Sequence, residues 1–166
     1  MLFRSYPDNY GEGRHYSAQE AQIYCRAGDW LTAAGRAEEA REKYLKAANQ
    51  PSQVTDLTYF AALAVEKLGD GECAKRMFLS MRAAGKEKIA HADEYGYFGV
   101  GMASPMPYEL DVTPRNTAEG LLLEALGAHG LGDESACREA VARLRELDPW
   151  NRKLNFYERM KVIADP

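Results

Sequence analysis

Apolar residues recur along this chain at helical spacing and not in strict alternation. In the first stretch Ile23, Tyr24, Ala27, Leu31 and Ala34 mark one side of a helix, and Ser17-Ala-Gln-Glu20 opens it as a capping box. Leu57, Phe60, Ala61, Ala64, Val65 and Leu68 mark another. Leu121, Ala125, Ala128 and Leu131 mark a third, which Asn116-Thr-Ala-Glu119 opens in the same way. Each stripe runs out at a glycine (Gly35, Gly69 or Gly132) succeeded by polar residues, and Asp70 and Asp133 are suitable N-caps for the next helix. No segment outside residues 86–115 reads as a strand.

The residues after each glycine form a repeat. Gly35, Ala40, Tyr44 and Ala47 are matched 34 positions later by Gly69, Ala74, Phe78 and Met81. Gly132, Cys137, Val141 and Leu144 lie 63 positions beyond that, one further period plus an insertion. Small, large and small residues at spacings of four and three share one helix face. The small residue lets a neighbouring helix approach, and the large one fills the space between helices. Burying such a side chain is worth about 1.5–3 kcal/mol. The pattern predicts an all-α chain of three helix–turn–helix units, at about 17–51, 54–85 and 116–149, with an insertion at 86–115. A last helix at 149–164, with Asp148 as N-cap and Pro149 in its first turn, is expected to cover the third unit through Trp150, Leu154, Tyr157 and Val162. Residues 1–16 read as an irregular lead-in.

These positions resemble the tetratricopeptide-repeat (TPR) motif. The first unit supplies Tyr24, Ala27-Gly28, Leu31, Gly35, Ala40, Tyr44 and Ala47, with Pro51 one residue early, and the third ends on Pro149. The second departs from the motif at Ala61-Ala62 and at its Ala83-Ala84-Gly85 ending. The resemblance implies a TPR-like α-α superhelix. Tyr6-Pro-Asp-Asn9, Gly11-Glu-Gly13, Tyr97-Phe98, Val100 and Gly130-Leu-Gly-Asp133 further resemble the C-terminal TPR tail of large bacterial proteins whose N-terminal domain is thought to act on carbohydrates. That tail usually has a Ser-Leu-Pro turn where this chain has Gly101-Met-Ala-Ser-Pro105.

Composition adds exclusions. A net charge of −4, with Lys and Arg scattered among Glu, disfavours a nucleic-acid binder. No apolar run approaches the roughly 18 residues of a membrane helix, and Met1–Tyr10 has no secretory apolar region, so a cytoplasmic location is expected. Cys25, Cys73 and Cys137 are too few and too scattered for a disulfide framework, and Cys73 and Cys137 read as buried spacers. His91, Asp93 and Glu94 suggest a metal cluster, but zinc needs three or four ligands and no second group supplies them, so a solvated helix face is the better reading. No phosphate loop or nucleophile–base ordering is present. The sequence therefore predicts no enzyme activity, no cofactor and no metal.

In TPR proteins the first helix of each pair lines a concave groove. The resemblance implies that Gln22, Cys25, Asp29 and Thr32 line it here, with Asp56, Tyr59, Leu63 and Glu66, and with Glu119, Leu122, Leu126 and His129. These are apolar or acidic, unlike the Lys, Arg and Asn with which many such domains grip an acidic C-terminal tail. A protein or peptide partner with an apolar or basic segment is favoured, and self-association is compatible with this surface. An accessory role beside a carbohydrate-processing protein is the alternative. The insertion carries Met102, Met106, Tyr108 and Leu110. Folding over the helices and forming a lip of the groove both account for them.

Overall fold

The computed structural model describes residues 20–49, 53–94, 111–160 and 162–163. Among them are seven helices and no strand: α1 (Glu20–Ala33), α2 (Ala37–Ala48), α3 (Thr58–Lys67), α4 (Gly71–Ala90), α5 (Thr113–Gly130), α6 (Glu134–Leu147) and α7 (Arg152–Arg159). The lead-in 1–16, Ser17 of the first capping box, Pro51, and Tyr97 to Leu110 of the insertion lie outside the described residues.

The three turn glycines end their helices in one way. Gly35, Gly69 and Gly132 have φ of 75°, 97° and 73°, in the left-handed region. Each sits in the same pair of backbone hydrogen bonds. Arg36 N donates to Leu31 O (2.9 Å) and Gly35 N to Thr32 O (3.0 Å); Asp70 N and Asp133 N donate likewise to Val65 O and Ala128 O, at 3.2 and 2.9 Å. This is the Schellman arrangement, which satisfies carbonyls that a helix end leaves open. Asp70 and Asp133 then cap the next helix, accepting from Cys73 N (2.9 Å) and Ala136 N (3.1 Å). Such a cap contributes about 1 kcal/mol.

The repeat triplets are buried: Ala40, Tyr44 and Ala47; Ala74, Phe78 and Met81; Cys137, Val141 and Leu144, the last two closing on a large residue where the first closes on a small one. A Cβ on Gly28 would fall 2.5 Å from the Tyr44 ring, so only glycine lets that ring lie against α1. Successive helices pack in chain order from α1 to α6, and α3 also touches α1 and α5. No comparable packing joins α2 to α4 or α4 to α6. So α1, α3 and α5 form an inner layer and α2, α4 and α6 an outer one.

The structure revises several local expectations. The first helix buries its stripe only in part: Tyr24 and Leu31 pack against the core, Ile23 and Ala34 are exposed, and the fully buried positions are Ala21, Cys25 and Gly28. Helices this close require small residues at the contact. Gly85 is not an ending; α4 continues to Ala90, into the stretch read as insertion, with Gly85 buried inside it. A Cβ there would stand 2.6 Å from Gly120 O, and one on Gly120 would stand 2.7 Å from Gly85 O. The α4 and α5 backbones meet directly, and the most extensive helix pairing among the described residues lies here. Asn116 is not a cap either. The helix begins at Thr113 with Pro114 in its first turn, and Asn116 Nδ2 instead donates to Ala92 O (2.8 Å) and Glu94 O (3.1 Å). Finally, α7 starts at Arg152. Asn151 is its N-cap, accepting from Leu154 N at 2.9 Å, because Asp148 is engaged in a turn with Trp150 N and Asn151 Nδ2.

Two glycines separate two kinds of cost. Gly69→Ala places a Cβ in open space but forces an L residue into left-handed φ, a loss of about 1–2 kcal/mol. Gly85→Ala meets backbone that must move, so its loss is expected to reach about 3 kcal/mol or more. Urea unfolding of both variants is expected to rank Gly85→Ala as the less stable.

Candidate functional site

The inner layer carries the residues that the sequence assigns to a groove, and they divide by environment. Tyr59, Leu122 and Leu126 are 4%, 2% and 0% exposed and belong to the core, which corrects their assignment as groove lining. Cys25 is buried as well. Gln22, Asp29, Asp56, Leu63, Glu119 and His129 are half-buried, and Thr32 and Glu66 are exposed.

On α1, Asp29 is a junction. Tyr44 OH donates to Asp29 Oδ1 at 3.0 Å and Lys67 Nζ lies 3.1 Å from the same oxygen, so one carboxylate ties α1 to α2 and α3. Lys67 also stands over the Tyr44 ring, 5.8 Å from its centroid. Thr32 Oγ1 donates to Gly28 O (2.9 Å) and pairs with Tyr44 OH (3.2 Å). Burial raises the Tyr44 phenol above its ordinary pKa, and Asp29 beside it adds to the rise. Gln22 Oε1 and Arg26 Nε are buried without a hydrogen-bond partner among the described residues. The Arg26 guanidinium lies 5.7 Å from the centroid of Phe60 on α3.

At the start of α3 the structure supplies what the sequence did not predict. The last helix does not merely cover the third unit; it reaches back to the second. Tyr157 OH donates to Asp56 Oδ2 (3.1 Å) and Asp56 O (3.2 Å), and Lys153 Nζ donates to Asp56 Oδ1 (2.8 Å). The Tyr157 ring stacks on Phe60 with centroids 5.9 Å apart and planes 20° apart, and meets Tyr59 edge-on at 6.5 Å. Tyr59 continues the cluster to Phe78 (5.7 Å) and to His129 on α5 (6.1 Å). At its far side α7 is held by Arg145 Nη2 donating to Glu158 Oε1 at 2.6 Å. So α7 bridges from α6 to the start of α3. Leu154, Tyr157, Val162 and Ile163 are buried there, whereas Trp150, expected to join them, is 84% exposed.

The two phenols in this cluster stay protonated at neutral pH. Burial pushes the Tyr59 phenol up to about 12, and raises Tyr157 further, with the Asp56 carboxylate adding to the effect. Lys153, Tyr157 and Phe60 complete a site that sequence reasoning had only in parts. Leu154 and Tyr157 were legible as an apolar face, but nothing local ties that face to Asp56, 101 residues away from Tyr157.

Elsewhere the candidate chemistry is structural. His91 ends α4, and its Nδ1 lies 3.1 Å from Glu94 Oε1 in an exposed turn. Among the described residues no three His, Cys, Asp or Glu side chains gather as a metal site, and no helix is long and apolar enough to cross a membrane. Cys25 and Cys137 are buried, and burial raises both thiols to about 11. Cys73 is only half-buried, because the small position of its unit is the next residue, Ala74. Thiolate is the reactive form. Titration with a disulfide reagent at pH 8 is therefore expected to modify one thiol per native chain rapidly, Cys73, and the other two only in denaturant.

No protein-family model matches this chain, and no solved structure matches it.

Proposed function

We propose that this chain is a TPR-type helical module that binds a partner protein or peptide along its inner helix layer. The observation that carries the reading is the seating of α7. A short amphipathic helix already lies against the inner row, with an aromatic side chain buried between Phe60 and Tyr59 and its polar groups on Asp56. A surface that receives one helix in this way has the shape and chemistry of a helix-in-groove binder. The repeated glycine turns, aspartate caps and small–large–small packing support the TPR assignment.

The row is divided between covered and open positions. Asp56 and Tyr59 lie under α7, while Asp29, Thr32, Leu63, Glu66 and His129 retain accessible surface. The open part combines an apolar residue, Leu63, with acidic Glu66, while Asp29 is already engaged by Lys67 and Arg26. Such a surface favours an apolar or basic segment and repels an acidic tail.

A photo-cross-linking side chain tests the surface. Introduced in place of Glu66, on the inner row, it is expected to trap a discrete partner from native cell extract. The same group in place of Leu79, exposed on the outer helix α4, is expected to trap none. Equal or absent capture at the two positions would remove the inner layer as the binding surface.

A further inference from the structure

We infer that the Asp56 site recognises a partner helix bearing a basic residue four positions before a tyrosine, and that α7 is its resident competitor, which the partner displaces. The inference rests on the reading that the inner layer receives a partner, and it names that partner's chemistry and the site's regulation.

The chemistry is read from the pair that now fills the site. Lys153 and Tyr157 stand one helical turn apart on the same face. They divide one carboxylate between them: the ammonium takes Oδ1 at 2.8 Å, and the phenol takes Oδ2 at 3.1 Å as well as the main-chain oxygen at 3.2 Å. The Asp56 side chain is only 18% exposed. A half-buried carboxylate held by two donors selects for a cation and a hydroxyl at that spacing, since losing either leaves acceptor capacity unfilled. Below the carboxylate, Phe60 offers an aromatic face to the ring that carries the hydroxyl. Phenylalanine there would stack but leave Oδ2 without its donor, and an acidic residue in place of lysine would meet Asp56 with like charge.

The attachment of α7 suits exchange. It has eight residues, and a helix shorter than about 12–15 residues is marginal on its own in water. It holds its place through side chains, chiefly Leu154 and Tyr157 with Val162 and Ile163 behind them. No backbone contact with another helix compares with those that join α1 to α6 in series. Its ion pair with Asp56 is half-exposed at the Lys153 end. Releasing it uncovers Leu154, Tyr157, Val162 and Ile163 and the Phe60 and Tyr59 rings they cover, so only a partner that buries an equivalent ring and apolar face can take its place. An occupied site reduces a competitor's apparent affinity by the fraction of molecules that are open.

The test uses the full chain and a fluorescein-labelled peptide of residues 150–163, which carries Lys153 and Tyr157 in trans. The wild-type chain is expected to bind it weakly. The doubly substituted chain Lys153→Ala/Tyr157→Phe keeps the buried ring but frees Asp56, and is expected to bind the peptide at least about tenfold more tightly by fluorescence anisotropy, as the loss of both donors to one carboxylate warrants. Adding Asp56→Asn to that chain is expected to abolish the gain, and a peptide with Tyr157→Phe is expected to bind less well than the parent. Thermal unfolding by circular dichroism separates competition from collapse, because the double variant is expected to melt within a few degrees of wild type. Equal peptide affinity for the two chains, a gain that survives Asp56→Asn, or a double variant that loses its cooperative melt would each overturn the assignment. If Glu66 still captures a partner while the peptide shows no competition, the inner layer remains a binding surface and only the Asp56 assignment falls.

Discussion

Everything in this molecule depends on helices approaching until their backbones nearly touch. Gly28, Gly85 and Gly120 occupy places where a single methyl group would overlap a ring or a carbonyl. Ala40, Ala74 and Cys137 are the equally buried small members of the outer helices. Close approach brings dispersion and apolar burial to nearly every inner position, and the bulky member of each triplet fills the remaining volume. It also sets the direction of the chain, because a helix that must return against its predecessor within a few residues needs a left-handed residue at the bend.

Much of this was legible from one sequence, because the signals are local. A glycine that reverses the chain and a buried triplet after it fall within about a dozen positions and recur at 34 residues, and in the second and third units an aspartate directly after the glycine adds the cap. Long-range preferences were not legible. Gly85 looked like a terminator because its need, a carbonyl of Gly120, lies 35 residues further on. Asn116 looked like a cap because its partners on Ala92 and Glu94 lie at the end of the preceding helix. Ile23 fitted a helical stripe with Tyr24 and Leu31, yet only the latter two pack against the core, and the fully buried positions are the small Ala21, Cys25 and Gly28. Periodicity identifies a face; it does not say which of two faces a close neighbour will accept.

The candidate site shows the same division. The residues assigned to the inner row do lie on α1, on α5 and on α3 with the turn before it, as the repeat register required. Which of them are open was decided by packing: Cys25, Leu122 and Leu126 went into the core, and α7 covers Asp56 and Tyr59. The register puts Asp56 in line with Gln22 and Glu119, and only contact with Lys153 and Tyr157 distinguishes it from them. The polar atoms of Gln22 and Arg26 that have no partner among the described residues lie on the neighbouring helix. The inner layer therefore has polar capacity that the described residues do not use.

The two hydrogen bonds from Asn116 have a consequence for the pair of helices they join. They fasten α5 to residues 92 and 94, just beyond the end of α4. The crossing is thus clamped twice, where Gly85 and Gly120 let the backbones meet and again where one side-chain amide reaches two carbonyls of the neighbouring chain end. Two separated clamps fix the angle between helices where one would leave a pivot, so the orientation of α4 on α5 is set by residues that the described helices and their ends themselves supply.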